Sequence, residues 1–481
     1  MNTLQAIEWF FLGYFVVLNG GYLLLNLLSL ASLRSYLEKH SLNDLPQAQI
    51  GLEPPISLLV PAYNEETTIV SSLKSLLHLD YPDYEIIVIN DGSTDETLAT
   101  LIHEFSLHPF EEAYWRQLPC NEVREIYRSA LHPKLRVIDK LNGGKADALN
   151  AGINASRCPL YCAVDADSIL QRDSLTKVVQ PFIDDPQTIV SGGTIRIANG
   201  CDISGGFLNA VGLPANLLAR FQIVEYLRAF LFGRLGWTPL NAVLIVSGAF
   251  GLFRKSEVIN AGGYRTDTVG EDMELILRLH RLNRTQHRPY RIAYVPDPIC
   301  WTEAPETLQV LRSQRMRWQR GLAESLTMNI SLLFQRRSGC AGWLAFPFFI
   351  LFELLGPAIE VLGYLTMTVG VITGIFSWEA FQAFLLVAIG FGILLSVTAL
   401  LLEEMSFRLF PRPAHIAWLF LIAIIENFGY RQMITVWRFH GMVRWLMGRH
   451  QHWGTMTRSN TLRDNRPGPA VQNAVPKGES P

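Results

Sequence analysis

Ile56-Ser57-Leu58-Leu59-Val60-Pro61-Ala62-Tyr63-Asn64-Glu65-Glu66 is a short apolar run that stops at a proline and passes into a polar cluster. Glu85-Ile86-Ile87-Val88-Ile89-Asn90 repeats the pattern and passes into Asp91-Gly92-Ser93-Thr94-Asp95. Thr67–Leu79, between them, has helical spacing. Leu135–Ile138 and Leu160–Val164 are further apolar runs, with a helical pattern over Ala146–Ser156 between them. Short strands alternating with helices predict βαβ units and a mainly parallel sheet. Ligands of such sheets bind at the carboxyl ends of the strands. Each polar cluster follows a strand, so the clusters are expected to meet at one edge. His103–Arg128, rich in polar and aromatic residues, reads as a helical insertion.

On either side of this α/β stretch the sequence changes character. Trp9–Leu33 is 25 residues without a charge, long enough as a helix to cross a hydrocarbon core of about 30 Å. A signal peptide would carry a basic leader and a shorter apolar core; Glu8 precedes this run and Arg34 and Lys39 follow it. The positive-inside rule then starts the chain outside and brings it into the cytosol. Ala341–Leu402 contains no Lys or Arg and only Glu353, Glu360 and Glu379. It fits two spans, roughly 345–375 and 380–402. Ala414–Tyr430 reads as a further span or an interfacial helix, and a basic tail favours an even number of C-terminal crossings. Glu353 and Glu360 are costly in lipid unless they face protein or water, so they either bond within the bundle or line a polar passage. The expected division is 1–51 anchor and linker, 52–330 cytosolic domain, 331–437 transmembrane and interfacial region, and 438–481 basic tail with a disordered end.

The 481-residue composition agrees with such a mixture: 49% hydrophobic and 17% charged, with a net charge of −2 and a mean hydropathy of +0.18. It excludes disordered, collagen-like and coiled-coil chains and provides no electrostatic footprint for nucleic acid. The six cysteines have neither metal-ligand nor disulfide-framework spacing and read as reduced thiols.

Five further features bear on chemistry. Glu65 and Asp91, at neighbouring strand ends, could accept hydrogen bonds from a base or ribose, while Ser93 or Thr94 could cap a helix. Asn142-Gly143-Gly144-Lys145 opens a helix with glycines, a free amide end and a cation, a combination suited to an anion, although the Walker spacing is missing. Asp165-Ala166-Asp167 ends a buried strand, where two carboxylates suit Mg²⁺ or Mn²⁺ bridged by phosphates. Glu271-Asp272 follows Gly270 and begins a helix; Asp272 is a candidate general base, and Ser247-Gly248-Ala249 permits close backbone approach. Gln314, Arg317 and Trp318 share one helix face, placing donors beside an indole plane that suits a diphosphate and a sugar. Arg312, Arg315 and Arg320 face elsewhere and read as a membrane-surface set.

In order, Pro61-Ala62-Tyr63-Asn64-Glu65, Asp91-Gly92-Ser93, Gly144-Lys145, Asp165-Ala166-Asp167, Glu271-Asp272 and Gln314-Arg315-Met316-Arg317-Trp318 resemble the membrane-embedded family 2 glycosyltransferases, which include cellulose, hyaluronan, chitin and poly-N-acetylglucosamine synthases. Thr302-Glu303-Ala304-Pro305-Glu306-Thr307 adds to the likeness to the poly-N-acetylglucosamine group. The resemblance implies a GT-A-type nucleotide-sugar domain flanked by transmembrane helices. It implies that Ala62, Tyr63, Glu65, Asp91, Lys145, Asp165 and Arg317 hold a nucleotide sugar, expected to be UDP-linked. Asp165 and Asp167 would hold Mg²⁺ or Mn²⁺, Asp272 would be the base, and Gly248, Glu271, Gln314 and Trp318 would meet the acceptor. Gly270 stands where cellulose synthases have Thr or Ser. His452-Trp453-Gly454-Thr455-Met456-Thr457-Arg458 is similar to the Trp-Gly-Thr-Arg element of hyaluronan and chitin synthases, with two residues inserted.

The expected activity is therefore an inverting transfer that builds a β-linked exopolysaccharide at the inner membrane, with export subunits as possible partners. A single addition to a lipid-linked acceptor is the alternative reading. A non-enzymatic sensor or export component is the third.

Overall fold

The computed structural model describes residues 3–43, 51, 53–204, 206–410 and 412–448. The expected disordered end and the Trp453 element lie outside them. Among the described residues twelve strands form: β1 Ile56–Ala62, β2 Tyr84–Asn90, β3 Leu107–Pro109, β4 Val123–Ser129, β5 Leu135–Lys140, β6 Leu160–Val164, β7 Ser168–Leu170, β8 Thr188–Ile197, β9 Asp202–Ser204, β10 Phe207–Ala210, β11 Phe250–Arg254 and β12 Arg291–Thr302. Ten of them make one sheet in the order β3-β4-β5-β2-β1-β6-β11-β8-β12-β7, while β9 and β10 pair separately.

The centre is parallel, as the alternation predicts. Val60 pairs with Val88 and Ala62 with Asn90, Leu59 with Ala163, and Asn90 with Asp139. These strands are buried on both faces, which is why they read as continuous apolar runs rather than alternating ones. Helices Ile69–Leu77 and Ser174–Asp184 contribute to the core on one face, and Lys145–Ala155 and Glu271–Thr285 to that on the other.

One expectation is corrected. The 103–128 segment is not a helical insertion: helix Thr97–Glu104 ends there, and β3 and β4 form an antiparallel sheet edge on β5. Exposed Arg124 and half-buried Glu125 and Arg128 suit a strand close to a sheet edge, which helical periodicity does not capture.

Helices Gln5–Glu38 and Trp378–Ser406 are long and apolar enough to cross a membrane. Two bent pairs pass the same test together, Ala341–Leu354 with Gly356–Ile372 at 45° and Pro413–Ile425 with Tyr430–Leu446 at 55°. Residues 438–446 continue the last helix. Glu353 bonds within the bundle: Tyr22 donates to it and Arg438 Nη2 reaches its Oε2 at 2.8 Å. Glu360 accepts from Thr435 Oγ1 at 3.1 Å and borders a polar cavity of about 10 Å³ with Asn19, Asn427 and Arg431, room for about one water. Arg196 of β8 and Glu403 of the Trp378–Ser406 span form a buried 2.6 Å ion pair that ties the sheet to that helix. All six cysteines are free thiols.

Candidate active site

The carboxyl ends of β1, β2, β5 and β6 lie along one edge, so the clusters that follow them assemble there. β11 runs antiparallel to β6, with Phe250 opposite Val164. Its amino end therefore reaches the same edge, and the Ala249 carbonyl accepts from the Asp165 amide at 3.2 Å.

The first two clusters are laced together. Asn64, at φ 57°, donates its amide to Ser93 Oγ at 3.0 Å and accepts the Thr94 amide on Oδ1 at 2.8 Å. The Glu65 amide donates to Thr97 Oγ1, and Glu65 Oε2 accepts from Thr68 Oγ1, each at 2.8 Å. Ser93 thus serves the facing loop and Thr94 is held by Asn64, whereas the helix expected to be capped there begins at Thr97. Ala62 is buried and Tyr63 is 48% exposed at the edge.

Asp91 is buried and its carboxylate meets the third cluster. Oδ1 accepts from Lys140 Nζ at 2.5 Å and the Gly143 amide at 3.0 Å; Oδ2 accepts from the Gly144 amide at 2.7 Å and Asn142 Nδ2 at 3.2 Å. Lys140 escaped the sequence reading because a lysine at a strand end looks like any solvated charge.

Lys145 begins its helix, ion-pairs with Asp165 and donates to the Gly248 carbonyl at 3.0 Å. The Gly248 amide donates to Asp272 Oδ2 at 3.0 Å. One peptide segment therefore links the cation to the candidate base. A Cβ at Gly248 would sit 3.1 Å from Lys145 Nζ and 3.4 Å from Asp272 Oδ2, so glycine permits this approach. Burial opposes the charge on Lys145, but Asp165, Glu271 and Asp272 outweigh it and hold the amine above the ordinary lysine range.

Glu271 and Asp272 form the first turn of helix Glu271–Thr285, where carboxylates complement the dipole. Burial, reinforced by Asp272, pushes Glu271 up to about 7, against the pull of Lys145. Arg317 is half-buried on helix Leu308–Met328. Burial lowers its pKa, while the charges of Glu271, Asp165 and Asp272 act the other way, so the guanidinium senses the acidic cluster. Trp318 is 44% exposed, with its ring centroid 6.5 Å from that of Tyr226. Gln314 is buried and accepts from Arg315 Nη1 at 3.1 Å.

The membrane-surface reading of Arg315 and Arg320 is corrected. Arg315 is buried, bonds Glu225 at 2.8 Å and lies 4.3 Å over the Trp318 ring. Arg320 pairs with Glu324 at 2.6 Å. Arg312 is exposed. Residue spacing assigns a helix face but not which neighbouring element covers it.

Asp165 and Asp167 are half-buried side by side after β6. Burial and then the Asp165 charge push Asp167 up to about 7, opposed by Lys145. Among the described residues no three His, Cys, Asp or Glu side chains gather into a ready-made metal cluster. Two carboxylates placed together after a strand do fit a hard divalent cation, which prefers oxygen ligands.

Two family models describing family 2 glycosyltransferases match residues 57–106 and 120–321, and a chitin synthase model matches 256–458. The chain is 32% identical over 291 residues to the poly-β-1,6-N-acetyl-D-glucosamine synthase of Staphylococcus aureus (strain COL), covering 60% of this chain and 59% of that protein. It is 31% identical over 273 residues to the Staphylococcus epidermidis enzyme of the same name, covering 56% and 55%. The match thus spans less than two thirds of these relatives. Among solved structures, the mannosyltransferase PcManGT from Pyrobaculum calidifontis in complex with GDP-Man and Mn²⁺ is similar at 15% identity and a TM-score of 0.48, covering 92% of this chain and 100% of that one. S. aureus TarS 1–349 in complex with UDP-GlcNAc gives 15% identity and a TM-score of 0.36, covering 83% and 93%. The two family 2 models together cover more than half of the sequence, and the chain belongs to the family 2 glycosyltransferases, where it is similar to polysaccharide synthases.

Proposed function

We propose that the chain polymerises N-acetylglucosamine from its uridine diphosphate donor into a β-linked glycan, with the sheet edge facing the cytosol. The observation that carries this reading is the link Lys145–Gly248–Asp272, which holds a carboxylate one peptide segment away from a cation. The likeness to poly-β-1,6-N-acetyl-D-glucosamine synthase supports the choice of sugar.

Ala62, Tyr63, Glu65 and Asp91 would flank the nucleotide, and Lys145 and Arg317 its diphosphate. Gly248, Glu271, Gln314 and Trp318 would meet the acceptor. Asp272 takes the proton of an acceptor hydroxyl as its oxygen forms a bond to the anomeric carbon. The bond from that carbon to the diphosphate breaks, and uridine diphosphate leaves with the electron pair. One displacement inverts the centre, so an α-linked donor yields a β-linkage. Lys145 and Arg317 oppose the charge that develops on the leaving group. Asp165 and Asp167 would hold Mg²⁺ or Mn²⁺, which supplies further neutralisation when bound.

The test is the full chain in lipid nanodiscs with labelled UDP-N-acetylglucosamine. The expected result is a high-molecular-weight glycan with release of uridine diphosphate in step. A single sugar on an organic-extractable lipid would overturn polymerisation, and incorporation only from another UDP-sugar would overturn the choice of donor.

A further inference from the structure

Lys140 is fully buried, yet it carries a charge between two carboxylates: Asp91 at 2.5 Å and Asp147 at 2.6 Å. It also donates to the Leu141 carbonyl at 2.6 Å. A buried ammonium is costly unless its donors are used, and here three acceptors surround it.

Each carboxylate then gathers one loop. Asp91 collects the Gly143 and Gly144 amides and the Asn142 side chain. Asp147 accepts the Asn121 amide at 3.1 and 3.0 Å. The two loops also meet directly, through Asn121 Nδ2 to the Asn142 carbonyl at 2.8 Å and the Leu141 amide to the Glu122 carbonyl at 2.9 Å. Gly144, at φ 87°, is the residue immediately before Lys145. The Gly144 carbonyl takes the first helical bond, from the Ala148 amide at 3.0 Å, but the Gly143 and Gly144 amides both go to Asp91, so the Asp91 contacts are what fix the left-handed turn.

We propose that Lys140 is a positioning residue: through Asp91 it sets the Gly143–Gly144 turn, and with it the place of Lys145, while through Asp147 it clamps the 119–122 segment against that turn. Its ammonium holds both carboxylates in place, so that the turn presents the Lys145 amine toward Asp165 and Gly248 before any ligand arrives. The role in donor binding rests on the proposed function; the clamp does not.

The experiment is hydrogen exchange by mass spectrometry on the full chain in nanodiscs, paired with binding of uridine diphosphate. In Lys140→Met, amides of 119–124 and 141–147 should exchange about tenfold faster while 273–285 keeps its protection, and uridine diphosphate should bind about tenfold more weakly. Lys140→Arg should restore part of both. Asp147→Asn, which keeps the Lys140–Asp91 pair, should loosen 119–124 and leave 143–145 protected. Unchanged exchange at 141–147, or equal loosening everywhere, overturns the clamp. Local loosening with unchanged nucleotide affinity overturns the link to Lys145 and leaves the clamp standing. This readout needs no turnover, so loss of the proposed reaction does not mimic loss of the clamp.

Discussion

Gly270 and Gly321 touch backbone to backbone: a Cβ added to Gly270 would lie 2.7 Å from the Gly321 carbonyl oxygen, and one added to Gly321 would lie 2.9 Å from the Gly270 Cα. The contact presses the start of the Asp272 helix onto the helix that carries Arg317. Ser325 Oγ donates to the Gly270 carbonyl at 3.1 Å, and Glu324 Oε2 takes the Val269 amide at 3.0 Å, closing the joint. A Thr or Ser at position 270, as in cellulose synthases, would not fit this geometry.

Gly321→Ala should therefore destabilise the chain by about 1–3 kcal/mol, the usual scale of overpacking. It should also lower turnover more than nucleotide binding, because Asp272 and Arg317 move apart. Thermal midpoint, uridine diphosphate affinity and turnover measured on one preparation check both parts.

Asp272→Asn keeps the Gly248 amide bond to the side-chain oxygen but removes the proton acceptor. Turnover should fall by about 10²–10⁴-fold, the range attributed to general-base catalysis, with uridine diphosphate binding unchanged. A variant that turns over at the parent rate would remove Asp272 from the role.

Chelation should stop transfer, and Mg²⁺ or Mn²⁺ should restore it. Asp167→Asn should lower the response to added metal while the protein still inserts and folds, read as a shift in the metal concentration for half-maximal rate. Full activity in chelator would exclude a cation from the Asp165–Asp167 pair.

His280 gives a pH signature unrelated to the reaction. It is buried, with Nε2 2.9 Å from the Val243 carbonyl and Nδ1 2.7 Å from Tyr290 Oη. Burial lowers its pKa to about 4. The unfolded chain takes up the proton first as pH falls below about 6.5, so the contribution is complete above that value and is lost as pH falls toward 4. At pH 5 the loss is about 2 kcal/mol. Thermal midpoints from pH 7.5 to 5 should fall more steeply for the parent than for His280→Gln.

Breaking the Arg196–Glu403 pair tests the seam between sheet and span. Arg196→Met alone should cost about 3–5 kcal/mol, because it leaves Glu403 buried without its cation. Arg196→Met with Glu403→Leu should recover most of that loss. Detergent-melting midpoints of the single and double variants decide it.

Much of this protein is legible along the chain. Apolar runs ending in Pro61, Asn90 and Asp165 mark the parallel strands, because strands buried on both faces need continuous apolar residues. The uncharged run Trp9–Leu33 marks a span, because lipid tolerates few charges. The rule that ligands lie at strand carboxyl ends gathers Glu65, Asp91, Lys145 and Asp165 at one edge before any coordinate is seen. These features are local, or follow from topology alone. Tertiary structure alone decided which charges are buried and with whom. Lys140 between Asp91 and Asp147, Arg315 against Glu225, and Arg196 against Glu403 join residues that are distant in sequence or read as ordinary surface charges. It also decided that 107–129 is a strand edge and that Gly270 meets Gly321. A charge's identity does not name its partner, and the free energy of burying it depends on that partner; only the folded arrangement supplies one.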